Sequence, residues 1–196
     1  GPRVPESVKV DVAQSWSRSF LMTTSFHLIG DAFVDIFCYA SSQETLSIGG
    51  DTQLDRPVQE FAGGTALNTS THLCSLSANV TLHTSWNTND RYGNFLQEHC
   101  DQNGIDTVVF NPTQEATGQC VVLVTRSDRT FWTHRGCINS YIPYPDEWKA
   151  MQETEDRVHL HIGGFYNLGA LQNRSTELST RLSALKEANP FIKLSM

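Results

Sequence analysis

Two rhythms of apolar and polar residues run along this chain. Residues 79–84 alternate with period two, the pattern of a half-buried strand. Residues 65–76 instead space Leu67, Leu73 and Leu76 among small polar residues at helical intervals. Extended apolar stretches are predicted over 25–30 and 33–40, broken by Gly30-Asp31. Another lies at 57–62, where Pro57 favours a strand start. An amphipathic helix follows over 90–103, with Asp90 as its N-cap and Gly104 as its stop. Strands are predicted at 107–110 and 158–162, and a short helix at 146–153. Residues 119–125 and 129–134 flank Arg126-Ser127-Asp128 and read as a hairpin. A second long helix, 174–188, carries Leu178, Leu182 and Leu185 on one face and ends at Asn189-Pro190. Residues 191–196 read as a strand just starting.

From residue 79 onward strand and helix alternate, which predicts an α/β domain with a largely parallel sheet. The pieces before Gly63 and the 119–134 hairpin fall outside that alternation and are expected to form a separate small β layer. In such folds ligands gather at the carboxyl ends of the strands. Residues 1–24 are polar and mixed in charge and read as a disordered leader, leaving 25–196 as the domain.

The chain has 196 residues, 39% hydrophobic and 18% charged, the balance of an ordinary globular protein. Its net charge is -7 without a Lys/Arg cluster, which argues against nucleic acid or an anionic membrane as partner. No apolar run approaches the ~20 residues of a membrane span. Five widely spaced cysteines without a Cys-x-x-Cys pair argue against a disulfide framework or zinc site and favour the cytoplasm. The sequons at Asn68, Asn79 and Asn173 are discounted. No Gly-x-Ser-x-Gly, His-Glu-x-x-His or P-loop run occurs. His159 and His161 share one side of a strand, but without a third ligand nearby they read as structural.

The most informative segment is Phe61-Ala62-Gly63-Gly64-Thr65-Ala66-Leu67-Asn68. Two glycines at a strand-to-helix junction expose backbone amides to a ligand, and Asn68 adds a donor and an acceptor one turn in. Upstream, Gly30-Asp31-Ala32-Phe33-Val34-Asp35 ends a strand with two carboxylates. Downstream come Asp90-Arg91-Tyr92-Gly93, the charged hairpin and His161-Ile162-Gly163-Gly164-Phe165. In this order the motifs resemble the amino-terminal half of the PfkB (ribokinase-like) carbohydrate kinases, over residues 26–196.

The resemblance implies a three-layer α/β/α sandwich with a mostly parallel central sheet and a small β lid built from about 37–62 and 119–134. It implies ATP-dependent phosphorylation of a sugar, sugar acid or nucleoside hydroxyl, with Mg2+ as the companion ion. Asp35 matches the residue that accepts sugar hydroxyl protons, Gly63 and Gly64 the close-approach glycines, and Asn68 the polar residue reading the sugar. Gly164 would line the pocket with bare backbone, and Asp31 reads as a strand-end turn residue. A homodimer through the lid edge is also implied. The family's Gly-Ala-Gly-Asp run, which supplies an anion hole and a general base, has no counterpart here. The domain is therefore expected to be truncated, carrying the sugar-binding half and inactive alone. A catalytically dead sugar-binding or interaction module is the competing reading. Leu76-Ser77 and Asn87-Thr88-Asn89 depart from the family's usual glycines and leave the substrate subclass open.

Overall fold

The computed structural model of the protein describes residues 24–44, 49–143, 146–154 and 157–196. The expected leader lies outside them except for Thr24, as do residues 45–48 of the polar segment before the third strand.

Strands β1 (Thr24–Gly30) and β2 (Phe33–Tyr39) come first, then β3 (Gln59–Gly63) and helix α1 (Thr65–Ser75). Strand β4 (Asn79–Thr84), helix α2 (Arg91–Asn103) and strand β5 (Asp106–Val109) continue the alternation. The hairpin β6 (Gln119–Val124) and β7 (Arg129–His134) follows. Helices α3 (Cys137–Ser140) and α4 (Asp146–Glu153) then lead to β8 (Arg157–Gly163). A 3-10 turn (Phe165–Asn167), α5 (Gly169–Gln172), α6 (Ser175–Ala188) and β9 (Lys193–Ser195) complete the order. The short pieces α3, the 3-10 turn and α5 were not predicted. Each is only three or four residues long, too short to show an apolar period.

A parallel central sheet has the order β5-β4-β1-β8-β9, and a second, mixed sheet the order β3-β2-β6-β7. Val80, Leu82, Leu28 and helix residues Ala66, Leu67, Leu96 and Cys100 form one buried cluster. Ile29, Val158, Leu160 and Ile162 form another on the opposite face, with Trp148, Leu171, Leu178 and Leu185. Period-two alternation in β1 thus serves two cores at once, Leu28 in one and Ile29 in the other, whereas β8 turns Val158, Leu160 and Ile162 to the second core alone. Leu178 and Leu185 are buried and Leu182 packs alongside, the predicted inner face of α6.

This packing corrects the expected truncation of the sandwich. Helices cover both faces of the central sheet, each over its own apolar cluster, and β9 is paired to β8 at three registered positions rather than left unformed. A layered α/β fold needs both faces covered, and the described residues cover both.

The second sheet is fastened to the first by a polar joint. Asp90, the N-cap of α2, accepts from Gly93 N at 2.6 Å. It also accepts from Thr117 N at 2.9 Å and Thr117 Oγ1 at 2.8 Å, just ahead of β6. One carboxylate therefore caps a helix and sets where the hairpin leaves the body. Gly104 ends the same helix, as predicted.

Candidate functional site

The carboxyl ends of β1 and β8 lie side by side, with Gly30 level with Gly163. Both are packed under the first turn of α1. A Cβ on Gly30 would sit 2.7 Å from Ala66 Cβ, and one on Gly163 would sit 3.0 Å from Ala66 Cα. Side chains are excluded where the two strands hand over to the helix.

Helix α1 has no side-chain cap of its own, because its N-cap is Gly64. Asp31 takes that place from 35 residues away. Its Oδ1 accepts from Ala66 N at 3.1 Å, and its Oδ2 accepts from Asn167 Nδ2 at 2.7 Å. The carboxylate is 1% exposed and lies at the helix N-terminus, where unpaired amides and the helix dipole favour negative charge. Asp31 is thus more than the turn residue expected: it joins the end of β1, the start of α1 and the turn after β8. Gly164 closes this knot at φ 63°, and a side chain there would overlap the Asp31 carboxylate. Gly64 has φ 99°, with backbone of Asp31 2.7 Å from its would-be Cβ. At both positions glycine is required by conformation and by space.

Asp35 lies on β2, level with Phe61 of β3 and Cys120 of β6. Its carboxylate rests against Gly63, whose Cβ, if present, would be 2.6 Å from Asp35 Cγ. Among the described residues nothing donates a hydrogen bond to it. Burial, and next the negative charge of Asp31, push its pKa up to about 6. A half-buried carboxylate without a partner, on a glycine floor, is an acceptor pair waiting for donors.

The sheet register extends this surface. Asp35, Phe61, Cys120 and Thr133 share one row and one face, and Thr133 Oγ1 lies 3.2 Å from Cys120 Sγ. Beyond Thr133 opens a cleft of about 670 Å³, lined also by Glu115, His134, Arg135 and Asn139. Sequence reading passed over Arg135 and Asn139. The available signal was the polar Thr133-His134-Arg135-Gly136 run directly after β7.

The structure therefore brings Asp35, Gly63, Gly64 and Gly164 around the ends of β1, β3 and β8. Asn68 is exposed on the first turn of α1, where its N–H donates to Gly64 O at 2.9 Å. Its side chain has no hydrogen-bond partner among the described residues. No group of three His, Cys or carboxylate side chains suited to a metal occurs among the described residues. Among the described residues no helix is long and apolar enough to cross a membrane.

A parallel sheet with a glycine-lined carboxyl edge, faced by a small mixed sheet, is a domain of α/β class, in which ligands gather at the carboxyl ends of the strands. Residues 24–193 match the family model described as pfkB family carbohydrate kinase, and the chain belongs to that family. The match runs over residues 24–193, nearly the whole chain, and corrects the restriction of the expected resemblance over 26–196 to the amino-terminal half of the family. Among solved structures, the fold is similar to ribokinase from Giardia lamblia. The two are 15% identical with a TM-score of 0.70, covering 88% of this chain and 54% of that one. Ribokinase from Arabidopsis thaliana, solved with ribose and ATP, is 18% identical with a TM-score of 0.60, covering 88% and 53%. A carbohydrate kinase from Agrobacterium tumefaciens is 17% identical with a TM-score of 0.64, covering 89% and 53%. The chain spans about half the length of the structures it matches.

Proposed function

We propose that this chain binds a sugar, sugar acid or nucleoside as the phosphoryl acceptor of a carbohydrate kinase. The observation that carries this reading is the Asp35 carboxylate, half-buried, without a donor and seated on Gly63. Two substrate hydroxyls can donate to its two oxygens at once, and charge-assisted bonds of this kind are the strong ones. Gly64 and Gly164 leave backbone at the pocket floor, and Asn68 supplies a further polar contact from α1. The mixed sheet acts as the lid: closing it over the substrate excludes water, which would compete as acceptor. Its exposed outer strand, with Phe131 and Trp132 57% and 61% exposed, supports pairing of two copies through the lid.

Family membership implies Mg-ATP as the donor, whose phosphoryl group the acceptor hydroxyl would receive. The Gly-Ala-Gly-Asp run that would hold its phosphates does not occur in the 196 residues, which span about half the length of the matched structures. A second reading is a sugar-binding role without turnover. An ATP-consumption assay across sugars, sugar acids and nucleosides separates the two. For the binding reading itself, a substrate should raise the melting temperature of the protein, and Asp35→Ala should abolish that shift. An unchanged shift in Asp35→Ala would place the pocket elsewhere.

A further inference from the structure

Arg135 stands in the cleft beyond Thr133 with no group to neutralise it. Among the described residues its side chain makes no ion pair and no hydrogen bond, in a chain of net charge -7. Asn139, on the same lining, has a side-chain amide equally without a partner there. The carboxylate on that lining, Glu115, accepts from Ser140 Oγ at 2.6 Å and is thereby held to α3. Thr133 and Asn139 thus place neutral polar groups beside a free positive charge.

The backbone fixes where that charge is carried. Gly136 adopts φ 52°, and a Cβ there would overlap Ala116 O, so the turn after β7 presses on the segment before β6. Cys137 N donates to Ala116 O at 3.0 Å, and Ile138 N donates to Arg135 O at 3.2 Å. Ala116 precedes Thr117, which Asp90 holds, so Arg135 is anchored to the joint between the two sheets. Backbone ordered in advance lowers the cost of binding. The register sets the separation from Asp35. Thr133 lies two strands from Asp35 in one row, about 9–10 Å between backbones, and Arg135 lies two residues, about 6–7 Å, further along. A gap of this order takes a sugar, with its hydroxyls toward the carboxylate and an anionic group toward the guanidinium.

We propose that the acceptor bound by this chain is an anionic sugar, its carboxylate or phosphate held by Arg135 while its hydroxyls donate to Asp35. The proposal rests on the Asp35 reading above and narrows it from sugars, sugar acids and nucleosides to those that carry a charge. A guanidinium presents paired donors that match two oxygens of a carboxylate or phosphate, whereas a neutral sugar leaves them unused. Asn139 and Thr133 add neutral hydrogen-bonding groups around the anion. Glu115 is the opposing charge on the lining and works against it.

The test titrates the full chain calorimetrically with glucuronate and galacturonate, with glucose 6-phosphate and ribose 5-phosphate, and with the neutral parents glucose, galactose and ribose. At least one anionic member should bind roughly tenfold to a hundredfold more tightly than its parent, and the arm that does so tells carboxylate from phosphate. Arg135→Gln should erase that advantage and leave the parent unchanged, and Glu115→Gln should enlarge it. Added KCl should weaken the anion alone, a measurement that needs no substitution. Parents binding as tightly as their anions, an advantage that survives Arg135→Gln or KCl, or no anion binding at millimolar concentration would each overturn the proposal. Where the parents bind equally well and Asp35→Ala removes that binding, this proposal falls and the Asp35 reading stands. Anion binding that survives Asp35→Ala sinks both.

Discussion

Gly63→Ala separates recognition from stability. The added methyl would overlap Asp35 Oδ2 and would lie 2.6 Å from Cγ, the latter already 0.8 Å inside the 3.4 Å at which ordinary contact begins. The obstructing group is the end of a side chain, so Asp35 can swing away instead of the strands separating. Driving a side chain off its rotamer costs about 0.5–1.5 kcal/mol. Against this, replacing glycine by alanine at a compatible backbone position stabilises by about 0.4–1 kcal/mol through the unfolded state. The two nearly cancel, so urea unfolding should show a change within about 1 kcal/mol. Binding should not be spared. Displacing a positioning group by about 1 Å can cost on the order of 100-fold. Isothermal titration with whichever substrate stabilises the unsubstituted protein measures this directly. Gly64→Ala is the contrast: at φ 99° and 2.7 Å from Asp31 backbone, it should cost about 1–2 kcal/mol from conformation alone. If Gly63→Ala binds substrate with unchanged affinity, Asp35 is not the residue that reads it.

Three further outcomes are expected. Because the Asp35 pKa is raised to about 6, the group favours folding below its unfolded pKa of 3.8, and that contribution is lost as pH rises through 6. Asp35→Asn should therefore raise the melting temperature of the ligand-free protein at pH 7 while removing substrate binding, and in the unsubstituted protein binding should strengthen from pH 5 to pH 7. His83, its pKa held down to about 3 by burial and then by His27 2.9 Å away, acts in the opposite sense. Its contribution is intact above 6.5 and is lost as pH falls toward 3; His83→Gln should flatten the urea midpoint over pH 4–7, and an unchanged slope would refute the assignment. Asp90→Ala removes the cap of α2 and leaves the buried Thr117 without its acceptor, which should cost about 2–4 kcal/mol in urea unfolding; a loss below 1 kcal/mol would show that the joint is not limiting.

What the chain discloses in advance depends on how local its cause is. The alternation of 79–84, the Asp90 cap and the Gly104 stop are all settled by residues within one turn of each other, and the structure has each where the pattern puts it. The glycine pair at 63–64 was legible as a place where backbone could approach a ligand. Its tighter cause was not, because the atoms that forbid a side chain belong to Asp35 and to the backbone of Asp31, about 30 residues upstream. Asp31 itself looks like any turn aspartate in sequence. Only the crossover that lays α1 over the end of β1, and the return of β8 beside it, gives its two oxygens Ala66 and Asn167 as donors. The same limit applies to His159 and His161: their shared face follows from period two, but Ser195 reaches them only through the register of a parallel neighbour. Parallel pairing carries no turn that fixes register locally, so each such contact depends on a helix-length connection packing first. The residues hardest to read are thus those standing where parallel strands meet. That is also where the carboxyl edge of the sheet gathers its binding groups, so the site is less legible than the fold that holds it.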